Sequence, residues 1–332
     1  MSEKEIQQVI AQALNRAAEK NQPVILAQAF AFDAQDILAV LTHPADQQTT
    51  RIYWEQPSEG FAMAGLNSVL EINPENGEKL SELTGRMCAV LDDVFSDADS
   101  TGSRLRFLGG TAFDLKAETD SVWQDFPRMR FVIPECLVIK ENQDTQLIIS
   151  RLVHPGDNPD RILKEFSQTC IYYQNRLPVT LPNISRVGIL EQENTPDRAT
   201  YERKIYSILS ELKPGNLEKV VLSRSTCLKL EGHFRITSAM QILRAAYHEC
   251  TNFFFSFPDE GIFFGSTPER LISKHGNEIK TEALAGTMGR GRNMEEDRQL
   301  AEQLMASHKE MEEHMYVVDQ IRQRLEPFLT NF

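Results

Sequence analysis

Strand-like stretches in this chain come in neighbouring pairs rather than singly between helices. Residues 51–54 (Arg-Ile-Tyr-Trp) and 61–65 (Phe-Ala-Met-Ala-Gly) are joined by a segment of Pro, Ser and Gly, which is a hairpin pattern. Residues 104–108, 130–139 and 146–151 then form a cluster of further strand-like runs. A Rossmann sheet needs a helical crossover after nearly every strand, and this order does not supply one. The spacing predicts an antiparallel-rich, layered α+β fold.

Helices are expected where apolar residues recur every three or four positions. Ile6, Val9, Ile10 and Leu14 mark one, and Leu80, Leu83, Met87, Leu91 and Val94 mark another. From about residue 195 the pattern is more regular. Thr195-Pro196 is positioned to cap a helix carrying Tyr201, Ile205, Ile208, Leu209 and Leu212, with Pro214-Gly215 ending it. A strand is expected over 219–230, a helix over 238–248, strands over 252–257 and 261–265, and one long helix over 296–325. No internal repeat or low-complexity linker interrupts this order.

The net charge of −13 argues against nucleic acid as a partner, because a phosphate backbone calls for basic patches. No apolar run is long enough for a membrane helix, and the first residues lack the pattern of a secretory signal. The five cysteines are scattered without a Cys-x-x-Cys pair, as expected for reduced thiols in a cytoplasmic protein.

Four stretches carry candidate chemistry. In 219–224 (Lys-Val-Val-Leu-Ser-Arg), an extended backbone puts Lys219 on one face with Val221, Ser223, Ser225 and Cys227. A lysine desolvated there is a candidate base near neutral pH, while an exposed one only blunts a sheet edge. Glu269 follows a strand, a Gly turn and Pro268. Apolar surroundings would raise its pKa and suit it to general-acid work, and a solvated Glu–Arg neighbour pair is the plain alternative. Glu310 and Glu313 share a helix face and offer oxygen ligands of the kind Mg²⁺ takes, although most Glu-rich helix faces are merely solvated. Residues 281–291 gather Thr, Gly and Arg, so that backbone N–H groups near Gly286 and the Thr287 hydroxyl are candidates to cradle a carboxylate, while by composition alone the stretch is only a turn.

These four stretches, in this order, resemble the chorismate-utilising enzymes, and most closely the isochorismate synthases. Residues 107–113 (Phe-Leu-Gly-Gly-Thr-Ala-Phe), 123–127 (Trp-Gln-Asp-Phe-Pro) and the hairpin over 53–65 extend the resemblance over nearly the whole chain. It implies two packed antiparallel sheets with helices outside, divided into an N-terminal part over 1–190 and a chorismate-binding catalytic region over 191–332. It further implies that Lys219 is the base activating water, Glu269 the acid at the departing hydroxyl, Glu313 a Mg²⁺ ligand, and Gly286 and Thr287 part of the substrate loop. The substrate implied is chorismate. The product would be isochorismate, which feeds quinone, siderophore or salicylate synthesis. Ala285 stands where aminodeoxychorismate synthases carry a lysine nucleophile, and salicylate synthases are the nearest alternative. The resemblance also implies that family members continue past Phe332 to a second metal glutamate and a substrate arginine. The expectation for these 332 residues alone is therefore an incomplete catalytic region with little turnover, or a non-catalytic remnant.

Overall fold

A computed structural model describes residues 3–42, 49–74, 78–96, 104–115, 123–124, 126–211, 220–258 and 260–329. The first part contains α1 (Glu3–Lys20), β1 (Val24–Ala31), the 3-10 helix Ile37–Thr42, β2 (Arg51–Gln56), β3 (Phe61–Leu66), β4 (Leu70–Ile72), α2 (Leu80–Leu91), β5 (Val94–Ser96), β6 (Leu108–Thr111), β7 (Met129–Ile133), β8 (Cys136–Glu141) and β9 (Asp144–Val153). It continues through α3 (Pro159–Arg176), β10 (Ile189–Thr195), α4 (Arg198–Glu211), β11 (Ser225–Leu230), α5 (Ile236–Ala246), β12 (Thr251–Ser256) and β13 (Ile262–Thr267). Last come β14 (Ser273–His275), β15 (Glu278–Lys280), α6 (Met294–Ala306) and α7 (His308–Leu325). The chain divides into two compact units, one of Met1–His248 with Asn252–Gly265, the other of Glu249–Thr251 with Ser266–Phe332.

In the first unit, the described residues form a sheet in the order β13-β12-β2-β3-β8-β9-β1-β5. Each pairing from β12 to β1 is antiparallel, and β1 meets β5 in parallel. Both faces of this sheet are buried. Leu26, Tyr53, Val138 and Leu147 join a core with α1 and α3, while their neighbours Ile25, Ile52, Leu137 and Ile148 join a second core on the opposite face. The period-two geometry of a strand thus sorts a continuous apolar run into two cores.

Helices cover one face. In α1 the buried residues are Ile6, Ile10, Ala13 and Ala17, and in α3 they are Ile162, Phe166, Cys170 and Tyr173, in each case one stripe at helical spacing. Asn158 caps α3 by accepting the Arg161 N–H at 2.9 Å, with Pro159 in the first turn. A small antiparallel sheet, β4-β7-β6, covers the other face through Leu108, Val132 and Ile133. This is the layered α+β architecture expected from the strand pattern.

The apolar run over 130–139 is two strands in two different sheets. Pro134 separates them, since it donates no backbone hydrogen bond and restricts the residue before it. A side chain at Gly65 would meet Pro134 Cγ at 2.8 Å, so the crossing needs glycine there.

Two other boundaries differ from expectation. β11 begins at Ser225 rather than 219, because its partner β10 ends at Thr195↔Ser225 and Pro196 has no N–H to extend the ladder. Helix α4 is capped by Asp197, whose Oδ1 accepts the Thr200 N–H at 2.8 Å, and not by Thr195. Pro214 and Gly215 lie outside the described residues.

The second unit contains the β14–β15 hairpin, α6 and α7. The apolar spacing predicts one helix over 296–325, but Ser307 divides it. Its side chain accepts the Glu310 N–H at 3.4 Å and starts α7 afresh. No described residue of α4, α6, α7 or β11 is fully buried. Among the described residues, no helix is long and apolar enough to cross a membrane.

Phe166, fully buried between α3 and the sheet, should dominate this packing. Phe166→Ala is expected to lower the unfolding free energy by about 3–5 kcal/mol in urea titration, and a loss below about 1 kcal/mol would contradict the packing. Burial pushes the Cys170 thiol up to about 12, and Cys136 is raised by the same cause. An aromatic disulfide reagent at pH 8 should therefore modify the exposed Cys88 and Cys227 promptly, but Cys136 and Cys170 only after unfolding.

Candidate active site

The second unit seats the glycine-containing loop against the first turn of α7. The Thr287 N–H donates to Glu310 Oε2 at 3.3 Å. Gly286 has φ +84°, and a Cβ there would lie 3.3 Å from both Cβ and Oε2 of Glu310. The left-handed backbone and the close approach both call for glycine. Glu310 is mostly buried, with 21% of its side chain exposed, and Lys309 Nζ stands 3.8 Å from its other oxygen. Glu313 lies one turn further along the same helix face and is half-buried. The structure therefore brings Gly286 and Thr287 onto the glutamate face of α7.

The far side of the loop is clamped to α6. Arg290 makes two hydrogen bonds to the Asp297 carboxylate, each 2.7 Å, and the Gly291 N–H adds a third at 2.8 Å. The Arg290 guanidinium, aided by that N–H, holds the Asp297 carboxyl down to about 2. Because the folded value is depressed, the clamp's contribution is complete above the ordinary carboxylate range and fades as pH falls towards 2. A Cβ on Gly291 would lie 2.1 Å from the Asp297 backbone nitrogen, so no side chain fits. Sequence reading missed this clamp, although Arg290, Gly291 and the helix cap Asn293 were its available signals.

Glu269 follows β13. Its backbone N–H donates to Thr267 Oγ1 at 3.1 Å, and its side chain is exposed rather than set in apolar surroundings. Thr281 Oγ1 donates to the Leu271 carbonyl at 2.9 Å, joining the segment after Glu269 to the segment leading into the loop. Gly265 is not a turn but lies within β13, where the Phe253 ring comes 3.1 Å from its missing Cβ. Lys219 lies outside the described residues. The segment that follows it has irregular backbone, exposes Val221 and is held by Tyr201 Oη donating to the Leu222 carbonyl at 3.2 Å.

Among the described residues, no group of three or more His, Cys, Asp or Glu side chains is gathered as a metal site. Mg²⁺ commonly takes one or two protein carboxylates and keeps several waters. Glu310 and Glu313 fit that requirement in donor type, with Glu310 already fixed by the Thr287 N–H.

The loop geometry separates its glycines. A methyl group on Gly289 would meet nothing within 4 Å, whereas one on Gly291 meets backbone. Gly291→Ala should accelerate amide exchange over residues 286–297, while Gly289→Ala should leave it near the parent rate; equal effects would contradict the clamp.

Residues 12–332 match the family model described as chorismate binding enzyme. The salicylate biosynthesis isochorismate synthase of Pseudomonas aeruginosa is 27% identical over 316 residues, covering 95% of this chain and 65% of that protein. Isochorismate synthase MenF of Bacillus subtilis is 25% identical over 320 residues, covering 93% of this chain and 66% of that protein. The chain thus spans just under two thirds of the length of these relatives. The solved structure of MenF, the menaquinone-specific isochorismate synthase of Escherichia coli, superposes with a TM-score of 0.72 at 22% identity, over 96% of this chain and 69% of that one. The likeness to that structure is one of fold. Because that family model matches nearly the whole of this chain, the chain belongs to the chorismate binding enzymes.

Proposed function

We propose that the protein is an isochorismate synthase, using Mg²⁺ to convert chorismate to isochorismate. The reading rests on the alignment of 95% of the chain with a relative that carries this name. The loop over 281–291, held on a glutamate-bearing helix face, supports it.

In this reading Gly286 and Thr287 receive a carboxylate of the substrate through backbone N–H groups and the Thr287 hydroxyl. Glu313, with Glu310 beside it, holds the metal. Bound Mg²⁺ supplies positive charge that offsets the substrate carboxylate and fixes its orientation. Lys219 removes a proton from water as its oxygen bonds to ring carbon C2. The ring double bonds shift, and the C4 hydroxyl leaves as water with a proton from Glu269. One water enters and one leaves, so the reaction is an isomerisation and needs no redox partner. A base and an acid on separate segments suit this chemistry, because proton removal and proton delivery occur at different ring carbons.

At the full length of its relatives, the purified protein given chorismate and Mg²⁺ should form isochorismate without releasing pyruvate, as followed by chromatography, and the variants below are read in that protein. Pyruvate appearing with salicylate would replace this reading with salicylate synthase. Lys219→Ala is expected to lower kcat by about 10²–10⁴-fold with little change in melting temperature. Glu269→Gln should likewise reduce kcat more than it raises KM. Retained turnover in both variants would overturn the assignment of base and acid.

A further inference from the structure

The first unit holds an aromatic-walled cavity of about 610 Å³ that shares no residue with the proposed active site. Its walls come from distant parts of the chain: Trp123 and Phe126 from the loop before β7, Phe255 and Phe257 at the end of β12, and Phe263 on β13. Trp123, Phe126 and Phe263 meet edge-to-face, with ring centroids 5.8, 5.3 and 6.4 Å apart. Phe263 also lies 5.2 Å from Phe253, which anchors it to the sheet. These rings are not sealed into the core, since Trp123 is 43% exposed and Phe263 41%. A volume of roughly 300–1,000 Å³ with mainly apolar walls and a few polar groups is the usual character of a small-molecule site.

The two arginines on the cavity wall differ in their availability. Arg130 stacks over Phe257 at 4.5 Å and is paired with Glu260 at 2.7 Å and Glu71 at 2.9 Å. Its charge is already balanced, so it serves as wall. Arg128 is exposed, and its Nη1 donates to the Leu115 carbonyl. Among the described residues no carboxylate pairs with it, and Asp114 on the rim is itself engaged. An otherwise acidic protein thus places one available guanidinium beside a nest of aromatic edges.

We propose that this cavity binds a small, flat aromatic monocarboxylate, with its ring among Trp123, Phe126 and Phe263 and its carboxylate on Arg128. Edge-to-face walls select a π-ring over an aliphatic one of equal size. A single available guanidinium matches one carboxylate and its two-oxygen geometry. The surrounding Glu71, Glu260 and Asp114 disfavour a ligand with more negative charge. The volume suits one or two fused rings, too small for a helix of a partner protein.

The test uses 1-naphthoate as probe in calorimetric titration of the purified chain. Saturable binding at one site is expected, with the neutral 1-naphthamide and the non-aromatic cyclohexanecarboxylate each weaker by about tenfold. Arg128→Gln should bring naphthoate down to the affinity of naphthamide while leaving naphthamide unchanged. Phe263→Ala should weaken both naphthyl ligands, and the exposed Trp123→Ala provides the same test if Phe263→Ala does not fold. Three outcomes would overturn the proposal: no saturation at millimolar naphthoate, equal binding of cyclohexanecarboxylate, or binding indifferent to both Arg128→Gln and the aromatic variants. Chorismate turnover is not a readout here, so failure of this site and failure of the proposed activity are distinguishable.

Discussion

A strand buried on both faces has no solvent side to fix its register, and β1, β2, β8 and β9 are of this kind. In a half-exposed strand, a slip by one residue sends apolar side chains into water. At the centre of β2 a slip would exchange Ile52 with Tyr53, both apolar and both buried, so burial at those positions does not separate the two registers. Size has to decide instead. Tyr53 lies across from Ala64 and Ile52 across from Gly65, so that large residues face small ones, and Gly65 in turn makes room for Pro134. The turns reinforce this. Gly60 at φ +64° closes β2 and β3, Asn142 at φ +57° closes β8 and β9, and the Asn142 N–H donates to the Gly60 carbonyl at 2.8 Å. The two hairpins are thereby locked together at one end, and the cores on either face are built on that register.

Two polar clusters inside this unit tie its elements together. Asn67 donates to Glu135 at 2.9 Å and to Tyr173 Oη at 2.8 Å, and Tyr173 donates to the same glutamate at 2.8 Å, which ties the end of β3 to α3. Arg244 on α5 grips Asp36 through two hydrogen bonds and stands 3.5 Å from Glu55 on β2. The Glu55 carboxyl is nevertheless raised above its usual value, because burial outweighs the favourable guanidinium. Such a set holds only while every member stays, since a lone buried charge costs more than a pair.

The candidate site depends on a smaller version of the same economy of space. Ser307 interrupts a helix that the apolar spacing would have continued, and the new first turn puts Glu310 under the loop. An acidic side chain in a first helical turn is favoured by the helix dipole, and here it also accepts the Thr287 N–H. Gly291 touches helix backbone too closely for a Cβ, and Gly286 combines a left-handed φ with a tight 3.3 Å approach to the Glu310 side chain. Loop and helices thus constrain one another within the second unit.

The layered α+β class, the β2–β3 hairpin, the stripe of α1 and the family were legible in the sequence, because they rest on periodicity, turn residues and ordered motifs. The loop of Gly286 and Thr287 and the glutamates of α7 were also legible as separate signals. Their meeting was not, since a 23-residue separation carries no information about which glutamate accepts the Thr287 N–H; the structure names Glu310. The division of 130–139 between two sheets, the helix break at Ser307 and the Arg290–Asp297 clamp were equally hidden. Each depends on which partner a backbone N–H or a guanidinium finds in space. Sequence by itself determined the apolar periods and the chemistry on offer at each position. Only the tertiary structure decided which faces are buried, which glycines are crowded and which rings, from segments as distant as Trp123 and Phe263, enclose one cavity.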